Sequence, residues 1–565
     1  MTMSSEKTKK KTHGIFYTPD NVASLLCKWA IQSPSDTVLE PSFGGCGFLR
    51  ATNSRFIEIG VDESETFQRI FGSDIDSTAF GHLKKIFPYS NGHFIQSDFL
   101  GLRFEEFPSL GKFSIVIGNP PYVSHHNMLP EQKKAAWAWL ENSPYNTQID
   151  KRSSLWVYFV LHGLSFLKEG GRIVWVLPGS FLHADYANQV RNILQQKFKR
   201  ILSIVVGSRL FLNDDTEEIS IFLLGDGYLP VSSESCKTSF AFASSPQEVP
   251  QIIDSWEKDQ IETHTMSLAS LLPSSTQVVY QKIASNNTIA LGNLFDIRIG
   301  IVSGANDFFI MNQEEWKKHH LPKSFESYIL TRFKDTNGLE FTEKDLQTML
   351  DAGGRNILLD TNRSIKTPQT VNNFLNQFPI ERLQATTFKR RRSKSWHQFN
   401  DQKIPDAFIP YMNNNGPRIV INKAKVISTN SVHRLYYIKK HGHGAKGLVM
   451  KQAAISLLST FSQLSAEMEG RVYGAGVLKH EPSEAKNIKL VFKRNIEPND
   501  LKNINDVFKK INQKLREGKF QEAQELSDDF VLSDIPVKER NKIIEELQRG
   551  LTLMRVNRSP KSWKG

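Results

Sequence analysis

The most constraining feature of the sequence is residues 114–122, where an apolar segment runs into Gly-Asn-Pro-Pro-Tyr. Residues 115–117 are all β-branched, which predicts a buried strand. Two consecutive prolines can continue neither a strand nor a helix, so the strand has to end in a rigid loop. Because a residue before proline is held in extended geometry, the loop fixes the directions of the Asn119 and Pro120 carbonyl groups.

This loop places two hydrogen-bond acceptors before an aromatic ring. The Asn119 side-chain oxygen and the Pro120 carbonyl can accept both N–H bonds of an exocyclic amine, while Tyr122 stacks on the ring that carries the amine. Such acceptors act most strongly in the transition state, since they favour the tetrahedral nitrogen of an attacking nucleobase amine. The alternative is an ordinary turn, in which Asn and Pro are both common. We predict a catalytic loop of Asn119, Pro120, Pro121 and Tyr122.

Length, charge and cysteine usage narrow the class of protein. A chain of 565 residues accommodates two or three domains of roughly 150 residues each. Its net charge of +12 favours a polyanionic partner, nucleic acid above all, although a basic surface can also serve solubility alone. The three cysteines are widely spaced, which predicts neither a disulfide framework nor a metal site. No apolar run reaches the ~18 residues of a membrane span, and the Lys-rich residues 1–13 predict a disordered tail.

Two stretches near the N-terminus predict a ligand-binding turn. Thr18 and Pro19 are predicted to cap and open a helix, and the Thr18 hydroxyl either serves only as a cap or also meets a carboxylate or sulfonium ligand. A short strand then enters the glycine-rich residues 40–48, which are typical of the first βα turn of a doubly wound sheet. The turn has neither a Walker lysine nor a clean G-x-G-x-x-G pattern, so it does not predict bound phosphate.

The next two predicted strands end in acidic residues. Asp74 lies where a doubly wound domain hydrogen-bonds ribose hydroxyls, whereas Asp76 is predicted to cap the next helix. Asp98 can accept from the amino group of an adenine with Phe99 packed on its face, although Ser-Asp is also common turn chemistry. Parallel strands end at one edge of a sheet, so four loops are expected to converge there: residues 40–48, 74–76, 98–99 and 119–122.

Three more apolar segments, at residues 172–177, 201–206 and 219–224, are predicted strands. The loop between the last two carries Phe211, which either fills the core or forms a second wall for a stacked ring. The predicted fold class is therefore an α/β, doubly wound, Rossmann-like domain.

In this order, the segments resemble the γ-class N6-adenine DNA methyltransferases of the TaqI-like family. The resemblance covers residues 14–225 and rests on Tyr17-Thr18-Pro19, Glu40-Pro41 through Gly47-Phe48, Asp74, Asp98-Phe99, Asn119-Pro120-Pro121-Tyr122 and Phe211. It implies that Asn119 and Pro120 hold the amine of a flipped adenine between Tyr122 and Phe211. Cys46 departs from the pattern, because many relatives have glycine there. The cofactor implied is S-adenosyl-L-methionine, held by Thr18, Glu40, Pro41, Ser42, Gly44, Asp74, Ile75, Asp98 and Phe99.

The second half of the chain resembles a target-recognition region. Residues 291–307 resemble its opening in larger members of the superfamily, and residues 474–485 resemble a segment near its end. Basic side chains are interleaved with aromatic ones in residues 388–397, and residues 418–425 add further basic side chains, which suits DNA contact, although a solvated basic face is the alternative. His441 and His443 lack further ligands, so no metal is predicted. The predicted DNA-binding residues are Lys389, Arg390, Arg391, Arg392, Lys394 and Trp396.

These expectations divide the chain into a methyltransferase domain (residues 14–245), a linker (246–290), a mixed α/β target-recognition domain (291–490) and a C-terminal helical region (491–565). The resemblance implies site-specific methylation of adenine N6 in double-stranded DNA, in restriction-modification or phage defence, by a monomer in the prokaryotic cytoplasm and nucleoid. A separately encoded restriction endonuclease or defence protein is a candidate partner, and no membrane is. The alternatives are an RNA or protein-glutamine N-methyltransferase and a catalytically silent DNA-binding defence component.

Overall fold

The computed structural model of the protein divides the chain into two compact units, the first comprising Met1–Leu272 with Val472–Gly476 and Val556–Gly565, and the second comprising Pro273–Arg471 and Val477–Arg555. Phe211, Lys389, Arg390, Arg391, Arg392 and Lys394 lie outside the described residues, and their predicted roles stay predictions. The structure describes residues 18–88, 92–109, 111–183, 185–206, 220–231, 236–243, 245–261, 272–286, 288–362, 366–384, 396–399, 403–439, 445–473, 477–493 and 498–558.

The first unit is built on an eight-stranded sheet with helices between the strands. The strands are β1 (Val38–Pro41), β2 (Ile70–Asp74), β3 (Phe94–Gln96), β4 (Phe113–Gly118), β5 (Leu167–Pro178), β6 (Phe198–Val206), β7 (Ser220–Tyr228) and β8 (Lys237–Ala243). The α-helices are α1 (Asp20–Ala30), α2 (Gly47–Glu58), α3 (Ser77–Leu83), α4 (Pro130–Asn142), α5 (Leu155–Gly163), α6 (Ser180–His183), α7 (Asp185–Lys197) and α8 (Val249–Glu257).

The strand order of this sheet is β3-β2-β1-β4-β5-β7-β6-β8. Strands β1 to β5 run parallel, and β7 lies antiparallel between β5 and β6. Strands β2 and β3 are therefore added on one side of β1, and β4 is then added on the other side of β1. In open α/β sheets, ligands bind outside the carboxyl ends of the strands at such a reversal. The predicted doubly wound fold is confirmed, and the reversal places the turn after β1 beside the loop after β4.

Strand β4 forms because its side chains alternate between two cores. Val116 joins the core on one face of the sheet, whereas Ile115 and Ile117 join the core on the other, and all six residues of the strand are buried. A strand buried on both faces reads as a continuous apolar run, as residues 115–117 do. The prediction of a buried strand here is confirmed.

The region predicted to be a linker contains regular structure. Helix α8 buries Val249, Ile253 and Trp256 in the core of the first unit, and α9 (Ser274–Ala284) begins the second unit. Strand β8 pairs in parallel with β6 and was also missed. The buried residues of α8 are spaced i, i+4, i+7, which is a helical pattern. This pattern was not recognised because residues 232–290 are rich in proline, serine and glutamine.

The second unit contains several small sheets and a group of helices. The strands are β9 (Thr288–Ala290), β10 (Phe295–Arg298), β11 (Ile310–Met311), β12 (Glu326–Leu330), β13 (Glu340–Phe341), β14 (Ile357–Leu359), β15 (Ala407–Pro410), β16 (Met412–Asn413), β17 (Val420–Asn422), β18 (Ile427–Ser428), β19 (Val432–Tyr437), β20 (Arg471–Tyr473), β21 (Val477–Lys479) and β22 (Lys489–Val491). One sheet has the order β10-β19-β15-β17-β13, a second has the order β11-β14-β12-β18, and β22 pairs with β9.

Together with these strands, the helices of the second unit form the predicted mixed α/β region and the C-terminal helices that follow it. Ile504, Phe508 and Leu515 share one core with Ile421 and Leu435, so the C-terminal helices pack against the five-stranded sheet. No helix in the described ranges is long and apolar enough to cross a membrane. The helices are α10 (Leu291–Leu294), α11 (Asn306–Phe309), α12 (Gln313–Lys318), α13 (Glu343–Asp351), α14 (Gln369–Leu375), α15 (Lys446–Leu458), α16 (Thr460–Glu469), α17 (Pro482–Asn487), α18 (Pro498–Arg516), α19 (Phe520–Val531) and α20 (Val537–Arg558).

Candidate active site

The turn after β1 has an unusual backbone. Ser42, Gly44 and Cys46 all have positive φ angles, of 69°, 44° and 63°. A side chain in the left-handed region costs roughly 1 kcal/mol relative to glycine, because Cβ crowds the following carbonyl. The conformation of Cys46 therefore explains why glycine suits this position. Burial raises the pKa of the Cys46 thiol to about 12, which keeps the thiol protonated.

Gly47 opens α2 where the chain before α1 passes very close. A Cβ at Gly47 would lie 2.9 Å from the backbone oxygen of Thr18. The Thr18 capping prediction is wrong: α1 begins at Asp20, Pro19 occupies the N-cap, and no side chain caps it. The buried Thr18 hydroxyl makes no hydrogen bond to any part of the chain that the structure describes. This hydroxyl is therefore available to a ligand instead of being used by the helix.

Asp74 ties the end of β2 to the turn after β1. Its two carboxylate oxygens accept from the backbone N–H groups of Gly44 and Asp76, each at 2.8 Å. Burial raises the pKa of Asp74, and these N–H donors act in the opposite direction. Asp76 accepts from the Thr78 N–H at 2.9 Å, which confirms its predicted role as a helix cap. Ile75 is 67% exposed and offers an apolar surface beside Asp74.

Glu40 is a buried acid at the end of β1. Burial raises its pKa well above the usual range, and the Asp74 carboxylate raises it further, whereas Arg50 and the Leu49 N–H lower it. Its Oε2 atom is buried without a hydrogen-bond partner within the described ranges, as is the Oγ atom of Ser73 on β2. A carboxyl group in this environment favours a cationic or proton-donating ligand.

The predicted catalytic loop follows β4 directly. A Cβ at Gly118 would lie 3.4 Å from the Pro41 backbone oxygen, so the loop starts close against the turn after β1. Asn119 is half-buried and Pro120 is buried. The Tyr122 hydroxyl donates to the Val176 carbonyl of β5 at 2.8 Å, which fixes the half-buried ring at the carboxyl end of the neighbouring strand. The structure thus brings Asn119 and Tyr122 to the edge that also carries Glu40 and Asp74.

Asp98 and Phe99 lie after β3 in different environments. Asp98 accepts from the Leu100 N–H at 3.0 Å, and burial raises its pKa. Phe99 is only 2% exposed, with ring centroids 5.4 Å from Phe159 and 4.7 Å from His162. Such a ring has little face to offer an adenine, so its predicted cofactor contact is limited to a ring edge.

Two described residues of the predicted DNA-binding stretches are held by contacts within the second unit. Trp396 packs 4.7 Å from the Phe378 ring and 5.8 Å from the Phe309 ring, at the edge of a core. The half-buried Arg418 guanidinium donates to the backbone oxygens of Thr336 and Gly338, and burial lowers its pKa to about 10. These hydrogen bonds give Arg418 a structural role within the second unit, and its contact with DNA stays a prediction.

Two polar residues near the catalytic loop were missed by sequence reasoning. Ser73 precedes Asp74, and its position at a strand end was the only available signal. His125 follows Tyr122 by three residues, its ring lies 6.1 Å from Trp137 at an interplanar angle of 26°, and its Nδ1 atom is buried without a hydrogen-bond partner among the described residues. Burial lowers the pKa of His125, and Lys133 lowers it further.

Comparison with known proteins gives matches over both units. Residues 68–211 match the model of the Eco57I restriction-modification methylase, and residues 265–532 match that of the C-terminal domain of the Type II methyltransferase M.Eco57I. The chain is 22% identical to the Type II methyltransferase M.AccI of Acinetobacter calcoaceticus, over 84% of each chain. It is 20% identical to the Type II methyltransferase M.XamI of Xanthomonas campestris pv. amaranthicola, over 86% of each chain.

These similarities support a restriction-modification methyltransferase. The chain also shares its fold with the Type IIL restriction-modification enzyme MmeI, whose structure was solved in complex with DNA, with a TM-score of 0.55 and 12% identity. The alignment covers 95% of this chain and 75% of MmeI. The matches to Type II methyltransferases confirm the predicted cofactor, S-adenosyl-L-methionine.

Three buried residues of the first unit fit this cofactor. Thr18, Glu40 and Ser73 each leave a buried oxygen without a hydrogen-bond partner within the described part of the chain. Buried polar atoms in folded proteins are normally paired, so unpaired ones mark a place where a polar ligand belongs. The backbone of Thr18 lies close to Gly47, and these two backbone segments form the sides of the ligand site.

Proposed function

We propose that the protein transfers a methyl group from S-adenosyl-L-methionine to N6 of an adenine flipped out of double-stranded DNA, at a specific site. The observation that carries this proposal is the adjacency of β1 and β4, in which Val38 pairs with Ile115 and Leu39 with Val116. Because these strands are neighbours, the glycine-rich turn and the Asn119–Tyr122 segment lie side by side at the reversal of strand order. A methyl donor and an amine-binding loop need this adjacency.

The cofactor-binding residues are proposed to accept hydrogen bonds from the cofactor and to form the sides of its binding site. Glu40 and Thr18 suit the methionine end, since a buried carboxyl group and a hydroxyl can accept from an ammonium group. Asp74 retains acceptor capacity for a ribose hydroxyl, because each carboxylate oxygen has a second lone pair. Pro41, Ser42 and Gly44 supply backbone at the turn, and Ile75 supplies an exposed apolar surface suited to a planar base.

The Asn119 amide oxygen and the Pro120 carbonyl are proposed to accept both N–H bonds of the target amine. When bound, the cofactor supplies a methyl group already activated by a sulfonium. Holding the nitrogen lone pair in line with that methyl group is then the main task of the loop. As the new N–C bond forms, the carbon–sulfur bond of the sulfonium would break and the neutral thioether would leave with the electron pair. One proton then leaves the amine to water, and the two acceptors stabilise the tetrahedral nitrogen.

The target base has to leave the DNA stack, which costs a few kcal/mol. Tyr122 is proposed to offset part of this cost by stacking, and its hydrogen bond to Val176 holds the ring in place before the base arrives. Phe211 is proposed as the opposite wall. The biological setting we propose is restriction-modification or phage defence, with a separately encoded endonuclease or defence protein as candidate partner.

The experiment that tests the substrate class uses tritiated S-adenosyl-L-methionine with duplex DNA, RNA and protein in parallel. We expect tritium in duplex DNA only. Transfer to RNA or to protein glutamine would overturn the DNA assignment. Calorimetric binding of the cofactor without transfer to any substrate would identify a catalytically silent protein.

A further inference from the structure

The second unit contains a cleft of about 730 Å³ whose walls carry four lysines. Lys423 and Lys425 come from the connection between β17 and β18, and Lys446 and Lys451 come from α15. This cleft, called the lysine cleft below, includes the exposed end of the basic stretch that also contains the half-buried Arg418. The predicted basic segment is thus divided between a structural arginine and cleft-lining lysines.

The lysine cleft has an excess of positive charge. Lys446 pairs with Asp406, and Lys423 lies 4.0 Å from Glu340. Four ammonium groups therefore face two carboxylates, which leaves two surplus positive charges. Within the part of the chain that the structure describes, Lys425 and Lys451 pair with no carboxylate, and Lys451 donates to the Asn505 side chain at 2.7 Å. Unpaired cations in a concave wall attract anions more strongly than cations scattered on a convex surface.

The N-terminus of α15 opens into the same cleft. Leu448 and Val449 donate back to the Ala445 carbonyl, but the N–H groups of Lys446 and Gly447 have no carbonyl within the helix to accept them. Ala445, at the N-cap, makes no side-chain cap. A Cβ built at Gly447 meets nothing within 4 Å, so space is open beside these donors. Lysines and helix N–H groups without a partner inside the helix together suit a phosphate group.

The wall that carries Lys423 and Lys425 is rigid before any ligand arrives. The buried Asn422 side chain donates to the Pro405 and Val426 carbonyls at 2.9 and 2.8 Å, and its oxygen accepts from the Val426 N–H at 3.1 Å. Lys425 is held in the left-handed region with φ of 54°. A preorganised wall loses less conformational entropy on binding, so the hydrogen bonds of Asn422 favour tight anion capture.

The geometry points to a backbone phosphate of double-stranded DNA as the occupant of the lysine cleft. This inference rests on the proposed function and adds to it the surface that positions the duplex. Lysine ammonium groups are compact point charges that bind phosphate without reading base edges. The contact is therefore independent of sequence, and it contributes affinity and register instead of site choice.

The test measures the binding of a duplex of mixed sequence as a function of salt concentration. The logarithm of the DNA association constant falls linearly with the logarithm of the salt concentration. Replacing Lys425 and Lys451 together by Ala should make this slope shallower by about 0.9 for each phosphate that the variant no longer neutralises. The matched control removes the same charge from exposed lysines of α20, as Lys538→Ala with Lys542→Ala, and should keep the parent slope. The variant Lys451→Arg should also keep the parent slope, and thermal unfolding should confirm that each variant folds.

Unchanged slopes in the Lys425 and Lys451 variant would overturn the inference and assign the lysine cleft to a different anion, such as an acidic protein. An equal decrease in salt dependence in the α20 control would also overturn the inference, because the change in net charge alone would then explain the effect. If the parent methylates DNA and only the slopes fail to change, the proposed function stands and this inference falls. If the parent transfers no methyl group to DNA, the proposed function itself has failed.

Discussion

At the scale of single residues, the site depends on side chains held by hydrogen bonds that a sequence does not display. Tyr122 was predicted as a stacking residue from its place in the motif, but its bond to Val176 is visible only when β4 and β5 are paired. Thr18 was predicted as a cap, and the structure gives that place to Pro19. The residue types of the site were therefore predictable, whereas their partners depended on the fold.

Asn119→Ala should lower turnover by about 10²- to 10³-fold, the loss that follows removal of one transition-state hydrogen bond from an oxyanion hole. The affinity for S-adenosyl-L-methionine should stay at the parent value, because the proposed contact is to the target amine. Single-turnover kinetics and calorimetry measure the two quantities. Near-normal turnover would remove Asn119 from the catalytic role.

Cys46→Gly and Cys46→Ala form a matched pair, since both remove the same sulfur. Only glycine escapes the strain of the left-handed backbone at φ 63°. The Gly variant should therefore be more stable than the Ala variant by about 1 kcal/mol. Urea unfolding of the two proteins tests this, and equal stabilities would show that the Cys46 backbone is unstrained.

At the scale of elements, helix α2 and the segment before α1 are coupled by their close approach. Gly47→Ala would place a methyl group 2.9 Å from the Thr18 backbone oxygen, so one of the two segments has to shift. We expect weaker cofactor binding, because the shift displaces the Thr18 hydroxyl and the turn together. Gly81→Ala in α3 is the control, since a Cβ there meets nothing within 4 Å. Equal cofactor affinities in both variants would contradict the coupling.

Helix α5 carries a buried histidine whose charge state links stability to pH. His162 contacts Trp139 Nε1 and the Leu102 carbonyl at 2.7 and 3.0 Å, and burial lowers its pKa to about 4. Its unfolded pKa is about 6.5, so the unfolded chain binds more protons between these values and stability falls as the pH drops through that window. His162→Gln should show a smaller loss of unfolding free energy between pH 6.5 and 4. Identical pH profiles in urea unfolding would contradict this role.

At the scale of the whole molecule, most of the first unit could be predicted because most of its strands contain an apolar run that ends in a polar turn. Strand β8 and helix α8 could not, since their apolar residues are interleaved with polar residues and proline. The strands of the second unit are only two to six residues long, and their pairing depends on contacts far apart in the chain. The exposed lysines were predictable as a charge excess, but the lysine cleft was not.

The central claim is methylation of adenine N6 by the Asn119 loop, and the most direct test is the DNA of a methylation-free host. The parent chain and Asn119→Ala are expressed there, and the genomic DNA is digested to nucleosides for mass spectrometry and sequenced for modified bases. We predict N6-methyladenine at one fixed sequence context in the parent and none in the variant. Methylcytosine in place of methyladenine, or unmodified DNA with a folded, cofactor-binding parent, would contradict the account.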